Sequence, residues 1–206
     1  MLKKIRFIEP GNDSPYKKSI ANMFTYNKYI RNPSTGLITL TTIVKKIIDG
    51  TLMYSESISK IDFRDVYNAD IIFISINTFN AVRGYKIAED IRKCSAAIIV
   101  VGGLHASLNY TETIEYCDYV LTGDGDESIV EFINAIENNA SIDFPGVIYK
   151  QEGKIINTGK REQPENIDTI PDRNLLYNYS RLAKKYDTLW PQVHASRGCP
   201  HLCAIV

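Results

Sequence analysis

Two uninterrupted apolar runs constrain this chain most: DIIFISI at 70–76 and AAIIVVGG at 96–103. Neither alternates with polar residues, so each reads as a strand buried on both faces. The stretch between them, NAVRGYKIAEDIRKC, places Ala81, Tyr85 and Ala88 on one side of a helix. Strand, helix and strand in that order predict a parallel sheet covered by helices.

The rest of the front ~140 residues keeps this rhythm. KIRFIEP is the first strand and stops at a Pro-Gly break. A polar stretch over 11–35 follows, long enough to expect a functional loop. In GLITLTTIVKKIIDG the residues Leu37, Leu40, Val44, Ile47 and Ile48 share a helical face, with Gly50 placed to end the helix. TLMYSES is a weaker second strand, and SKIDFRDVYNA returns the chain across the sheet. TETIEYC reads as a short helix and DYVLTG as the fifth strand. DESIVEFINAIENN is a helix with Ile129, Val130, Ile133 and Ile136 in a stripe and Asp126 and Glu127 in its first turn. The expected fold class is therefore α/β: a flavodoxin-like, five-stranded parallel sheet with helices on both faces.

After residue 140 the pattern changes. FPGVIYKQEGKIINTG predicts a β-hairpin turning at Glu152-Gly153, and REQPENIDTIPDRNLL a linker. The tail suggests a new strand, QVHAS, and then a cysteine loop. The expected division is an α/β domain over 1–140, hairpin and linker over 141–190, and the start of a further domain over 191–206.

Charge narrows the function. Lys+Arg and Asp+Glu both number 24, which argues against a nucleic acid held by bulk electrostatics. No apolar run reaches the roughly 18 residues that cross a bilayer. The apolar stretch of MLKKIRFIEP is too short for a signal-peptide core, so a cytoplasmic location is expected. Of four cysteines, Cys94 and Cys117 read as buried reduced thiols.

In an open parallel sheet, ligands bind outside the carboxyl ends of the strands. The residues placed there are Pro10, then Ser75, Asn77 and Thr78, then Gly102, Gly103, His105 and Ala106, and last Gly123, Gly125 and Glu127. They should converge on one rim. A double glycine can also serve only a tight turn, and His105 can equally be a satisfied structural histidine. Gly123-Asp124-Gly125 is a poor phosphate loop: it follows the last strand, and Asp124, Asp126 and Glu127 would repel an anion. There is no GxxxxGK[ST] and no GxSxG, which excludes a P-loop and a hydrolase elbow. Cys199 and Cys203 form a CxxxC after Ser196-Arg197-Gly198. Thiolates so placed suit an iron–sulfur cluster. A third cysteine would fall at 206, where this chain has Val206, which cannot ligate iron.

Taken in order, these pieces resemble the cobalamin-binding subgroup of radical S-adenosylmethionine proteins, which includes the anaerobic magnesium-protoporphyrin monomethyl ester cyclases. The resemblance rests on the strand ending at Pro10, Pro33-Ser-Thr-Gly36-Leu37, the strand from Asp70 to Ser75, Gly102-Gly103-Leu-His105-Ala106, Gly123 to Glu127, Pro145-Gly146-Val147, Ile170-Pro171-Asp172 and Ser196-Arg197-Gly198-Cys199-Pro200. It implies a flavodoxin-like sheet cradling a corrin at its carboxyl edge. It also implies a following barrel that carries a 4Fe-4S cluster and S-adenosylmethionine, of which this sequence holds only the start. Cys199 and Cys203 would be two cluster ligands. The corrin would meet Ser75, Asn77, Thr78, Gly102, Gly103 and Gly123, with His105 and Glu127 at the periphery. One departure stands out. Methionine-synthase-type corrinoid proteins offer cobalt a histidine from the first loop, and this chain has no histidine before His105. Two other readings remain: a scaffold or docking module that has lost its corrin, and a flavodoxin-like flavin or nucleotide binder.

Overall fold

The computed structural model describes residues 2–11, 33–164, 167–183 and 192. Five parallel strands form its centre: β1 (Lys4–Glu9), β2 (Gly50–Ser55), β3 (Ile71–Ser75), β4 (Ile98–Gly102) and β5 (Tyr119–Leu121). Their order across the sheet is β2-β1-β3-β4-β5. Phe7 sits level with Met53 on one side and Phe73 on the other, and Val101 is level with Ile74 and Val120.

The helices are α1 (Thr35–Lys45), α2 (Phe63–Val66), α3 (Ala81–Cys94), α4 (Leu104–Leu108), α5 (Tyr110–Thr113), α6 (Ser128–Asn138) and α7 (Tyr179–Ala183). Side chains alternate across a strand, and the two cores follow from that. Ile71 and Phe73 join Leu37, Ile38 and Val44 of α1 and Ile129, Phe132 and Ile133 of α6. Ile72 and Ile74 join Val66 of α2 and Tyr85, Ile87, Ala88 and Ile91 of α3 on the opposite face. The unbroken apolar runs thus fill both faces, as their composition predicts.

Three expectations need correction. First, the sheet has seven strands rather than five. The hairpin of β6 (Val147–Gln151) and β7 (Lys154–Asn157) adds antiparallel to β5, with Leu121 opposite Val147. The pairing covers an edge that β5 would otherwise present and buries Val147 and Ile148. Its turn is the predicted one: Glu152 and Gly153 take φ +50° and +77°, the two positive values of a tight hairpin turn.

Second, Gly50 does not end a helix. α1 stops at Lys45, Ile47 is 45% exposed, and Gly50 opens β2. A Cβ there would lie 2.0 Å from the Lys3 carbonyl oxygen, so the residue permits close strand approach rather than a helix stop. Third, Cys94 is exposed. It is the last residue of α3, one turn beyond Ile91, where the core ends. Cys117 conforms only in part: it is half-buried, and burial, ahead of the neighbouring Asp118 charge, pushes its thiol up to about 12.

The expected linker is itself docked. Arg161 pairs with Glu127 and Glu131. Further on, Leu176 bridges Met53 on the outer edge of β2, and Tyr177 donates its amide to the Met53 carbonyl at 2.8 Å. Residues 12–32 of the expected functional loop, the tail strand QVHAS beyond Gln192, and Cys199 and Cys203 lie outside the described residues.

Candidate functional site

The strands' carboxyl ends form the rim, and a cleft opens there between α1 and α6. It is lined by Phe7, Phe73, Ile74, Ser75, Val100 and Leu121 from the strands, by Leu37 and Leu40 from α1, by Ile129 from α6, and by Gly102, Gly103, Gly123 and Gly125. Five predicted residues, Ser75, Gly102, Gly103, Gly123 and Gly125, therefore meet in one place. None of the lining residues carries a charge. The cleft runs from the point where the strand order reverses, between β1 (Phe7) and β3 (Phe73), out over β4 and β5, on the edge where such sheets bind ligands.

Glycine is required at one of these positions. Gly103 has φ +101°, and a Cβ would stand 2.4 Å from the Ile76 carbonyl oxygen, so backbone approaches there where a side chain would not fit. At Gly125 a Cβ would stand 3.0 Å from Leu40 Cδ1, the end of a movable side chain.

The other predicted residues do other things. Pro10 is buried, and its carbonyl accepts from Asn80 Nδ2 at 3.1 Å. Asn80 Oδ1 accepts from the Asn77 amide at 2.8 Å, and Asn77 Oδ1 accepts in return from Phe79 and Asn80 amides. Asn77 thus shapes the turn into α3, and Thr78 lies exposed within it. Asn80, buried and tying two rim loops together, escaped the sequence reading. An Asn immediately before a helical pattern was its available signal.

His105 is 9% exposed and packs towards Tyr85, 6.2 Å between ring centroids, in the core on the far face of the sheet from the cleft. Its Nδ1 lies 3.4 Å from Asn109 Nδ2, and its Nε2 is buried without a hydrogen-bond partner. Ala106 is a core residue of that same face. Glu127 occupies the N-cap of α6, and its carboxylate is held by Arg161 at 2.9 Å. Asp126 precedes the helix, so Glu131 takes the first-turn place expected for the earlier pair.

The rim beside β1 and β2 carries two acids that the motif reading did not single out. Glu9 accepts from the Ser34 amide at 2.9 Å and from the Ser55 hydroxyl at 2.6 Å. Burial raises its pKa, and the two hydrogen bonds offset this only in part. Glu56 accepts from the Gly11 amide at 2.8 Å and pairs with Arg83. Four large apolar side chains stand exposed on the elements that leave β3 and β4: Phe79, Val82, Leu104 and Leu108. Among the described residues there is no cluster of three or more metal-ligating side chains, and no helix is long and apolar enough to cross a membrane.

No family model matches the chain. Among curated proteins it is 28% identical to an uncharacterized methyltransferase of Pyrococcus horikoshii, over 97% of this chain and 44% of that protein. It is 28% identical to bacteriochlorophyllide d C-12(1)-methyltransferase of Chlorobaculum tepidum, over 82% and 34%. A more distant relative is the anaerobic magnesium-protoporphyrin IX monomethyl ester cyclase of Synechocystis, at 26% over 52% and 22%. The chain spans less than half the length of these relatives. Among solved structures it matches the cobalamin-dependent S-adenosylmethionine radical enzyme OxsB, with TM-score 0.62, 16% identity, 82% of this chain and 24% of that one. It also matches the radical S-adenosylmethionine methyltransferase TsrM of Kitasatospora setae, solved with cobalamin and a [4Fe-4S] cluster, with TM-score 0.58, 17% identity, 83% and 31%. The fold reached from the residues is thus one found in cobalamin-dependent radical S-adenosylmethionine enzymes, and curated methyltransferases and a cyclase are 26–28% identical to the chain over the parts they match.

Proposed function

We propose that this chain is the cobalamin-binding domain of a radical S-adenosylmethionine enzyme, of methyltransferase or oxidative-cyclase type, and that it does not catalyse the reaction alone. The convergence of Ser75, Gly102, Gly103, Gly123 and Gly125 on one uncharged cleft carries this reading. The chemistry of the residues present suits the cofactor. Cobalamin has a broad macrocycle edged with amides and a tail ending in a flat heterocycle. Exposed backbone at the glycines and the Ser75 hydroxyl offer partners to amides. The cleft offers an apolar slot to the heterocycle, and Phe79, Val82, Leu104 and Leu108 an apolar rim.

When bound, cobalamin would supply a cobalt centre able to carry a methyl group. The chain's own residues bind and orient. Gly103 keeps the β4 rim low enough for close approach, and the Asn77–Asn80 pair fixes the β3 loop beside it. Leu37 and Ile129 exclude water from the slot. No described histidine lines the cleft, so none of the described residues there would offer cobalt an imidazole. Cys199 and Cys203, the 4Fe-4S cluster and S-adenosylmethionine belong to the complete enzyme, whose barrel would be this domain's partner. The division at about residue 140 is part of the proposal, with the hairpin as an extension of the domain's sheet. The unlinked thiols Cys94 and Cys117 accord with a reducing, cytoplasmic setting.

A corrin-free docking module would have a filled rim. Phe79, the bulky candidate for filling it, is 80% exposed and does not line the cleft. The test is titration of the purified protein with hydroxocobalamin. The expected result is a saturable change in the visible spectrum. No change at high micromolar concentration would sink the proposal, and bound flavin absorbance would replace it.

A further inference from the structure

The cleft is narrower than the ligand just proposed for it. It holds about 60 Å³, whereas a protein cavity that takes benzene measures roughly 150 Å³. A benzimidazole is larger again, so some wall must give.

Most walls cannot. Phe7, Phe73, Val100, Leu121 and Ile129 are all buried and packed within the core between α1, α6 and the sheet. Moving them would cost core contacts. Leu40 differs. It is half-buried and reaches the cleft from α1. Its two methyls would stand 3.0 and 3.3 Å from a Cβ on Gly125. The tip of Leu40 thus rests in the space that glycine leaves at position 125. A rotamer change of one half-exposed side chain is the least costly way to widen the slot.

Resting on the reading of this cleft as the slot for the nucleotide tail, we propose that Leu40, seated on Gly125, is a size gate that selects corrinoids by their lower base. A corrinoid without a base binds with Leu40 as it stands. A benzimidazole enters only when Leu40 turns aside.

The experiment titrates the full chain with hydroxocobalamin and with diaquacobinamide, which lacks the nucleotide tail. Leu40→Ala should raise the ratio of cobalamin to cobinamide affinity by about tenfold, the scale on which a pocket discriminates a small apolar group. Leu40→Phe should lower it by a similar factor. Circular dichroism and thermal melting establish that each variant is folded, and either variant alone carries the test. A ratio that neither substitution moves, or equal shifts for both corrinoids, overturns the gate. If the native chain takes cobinamide alone, Leu40→Ala must admit cobalamin, or the gate is wrong. Binding of neither corrinoid by the native chain would instead remove the cobalamin reading itself, and the gate with it.

Discussion

The two ends of the sheet are built on opposite principles. At the amino ends of the strands, carboxylates satisfy the backbone and each other's counter-charges. Asp70 accepts from the Lys3 and Lys4 amides, and Asp118 accepts from the Ile99 amide while pairing with Arg92. Asp65 bonds Arg6, Lys4 and the Tyr54 hydroxyl. Burial pushes the Asp65 carboxyl up, but the hydrogen bonds from Arg6, Lys4 and Tyr54 outweigh it and hold it well below the usual carboxylate range. At the carboxyl ends the chain uses glycines, an uncharged cleft and a half-buried acid, Glu9, whose pKa is raised. One end is held by carboxylates and ion pairs. The other adds to such ties, through Glu9, Glu56 and Asn80, an uncharged cleft edged with glycine backbone.

That contrast can be broken from either side. Asp65→Ala should have the largest effect. It strands Arg6, only 7% exposed, without its carboxylate, and should cost about 3 kcal/mol, read as a lower urea midpoint. Hydroxocobalamin affinity of the folded fraction should not change. A matching loss of affinity would mean that the two ends are not separable. Gly103→Ala should come next, at about 2 kcal/mol. It combines a left-handed φ with a clash against Ile76, and it should weaken hydroxocobalamin binding as well, because it displaces the rim.

The smallest effect sharpens the comparison through pH. The Asp65 pKa lies below its unfolded value of about 3.9, so its stabilisation is complete above that pH and is lost as the pH falls through the folded value. The Glu9 pKa lies above its unfolded value of about 4.3, so its contribution is present below that pH and is lost as the pH rises through the folded value. Glu9→Gln should therefore stabilise the protein at pH 7 by an amount on the order of 1 kcal/mol and give no gain at pH 4. Urea midpoints at the two pH values check it. Equal gains at both would show that charge is not the cause.

The sequence disclosed the rim better than the edges. Ser75, Gly102 and Gly123 were legible because a buried parallel strand announces itself as an unbroken apolar run, and the residue after it must lie on the rim. Position 50 was misread because a glycine after a helical pattern serves equally as a helix stop or as a place where two strands press together. Only the Lys3 carbonyl decides between them. The docking of β6 on β5 was hidden because a hairpin's own signals do not say which edge it joins. The pairing of Arg6 with Asp65 is a long-range contact that no local pattern encodes. Leu40 was assigned to the core by its spacing, and its role at the cleft depends on Gly125, far along the chain.

The contact between Leu176 and Met53 has a consequence for how the molecule is made. β2 is made well before the residue that pairs with its outer edge, which emerges only after the whole sheet and hairpin have been translated. At about 5–20 residues per second, that edge waits several seconds or more for its partner on the ribosome. Contacts so distant in sequence also close slowly. The strap from Asp172 to Tyr177 is thus a late tie on that edge.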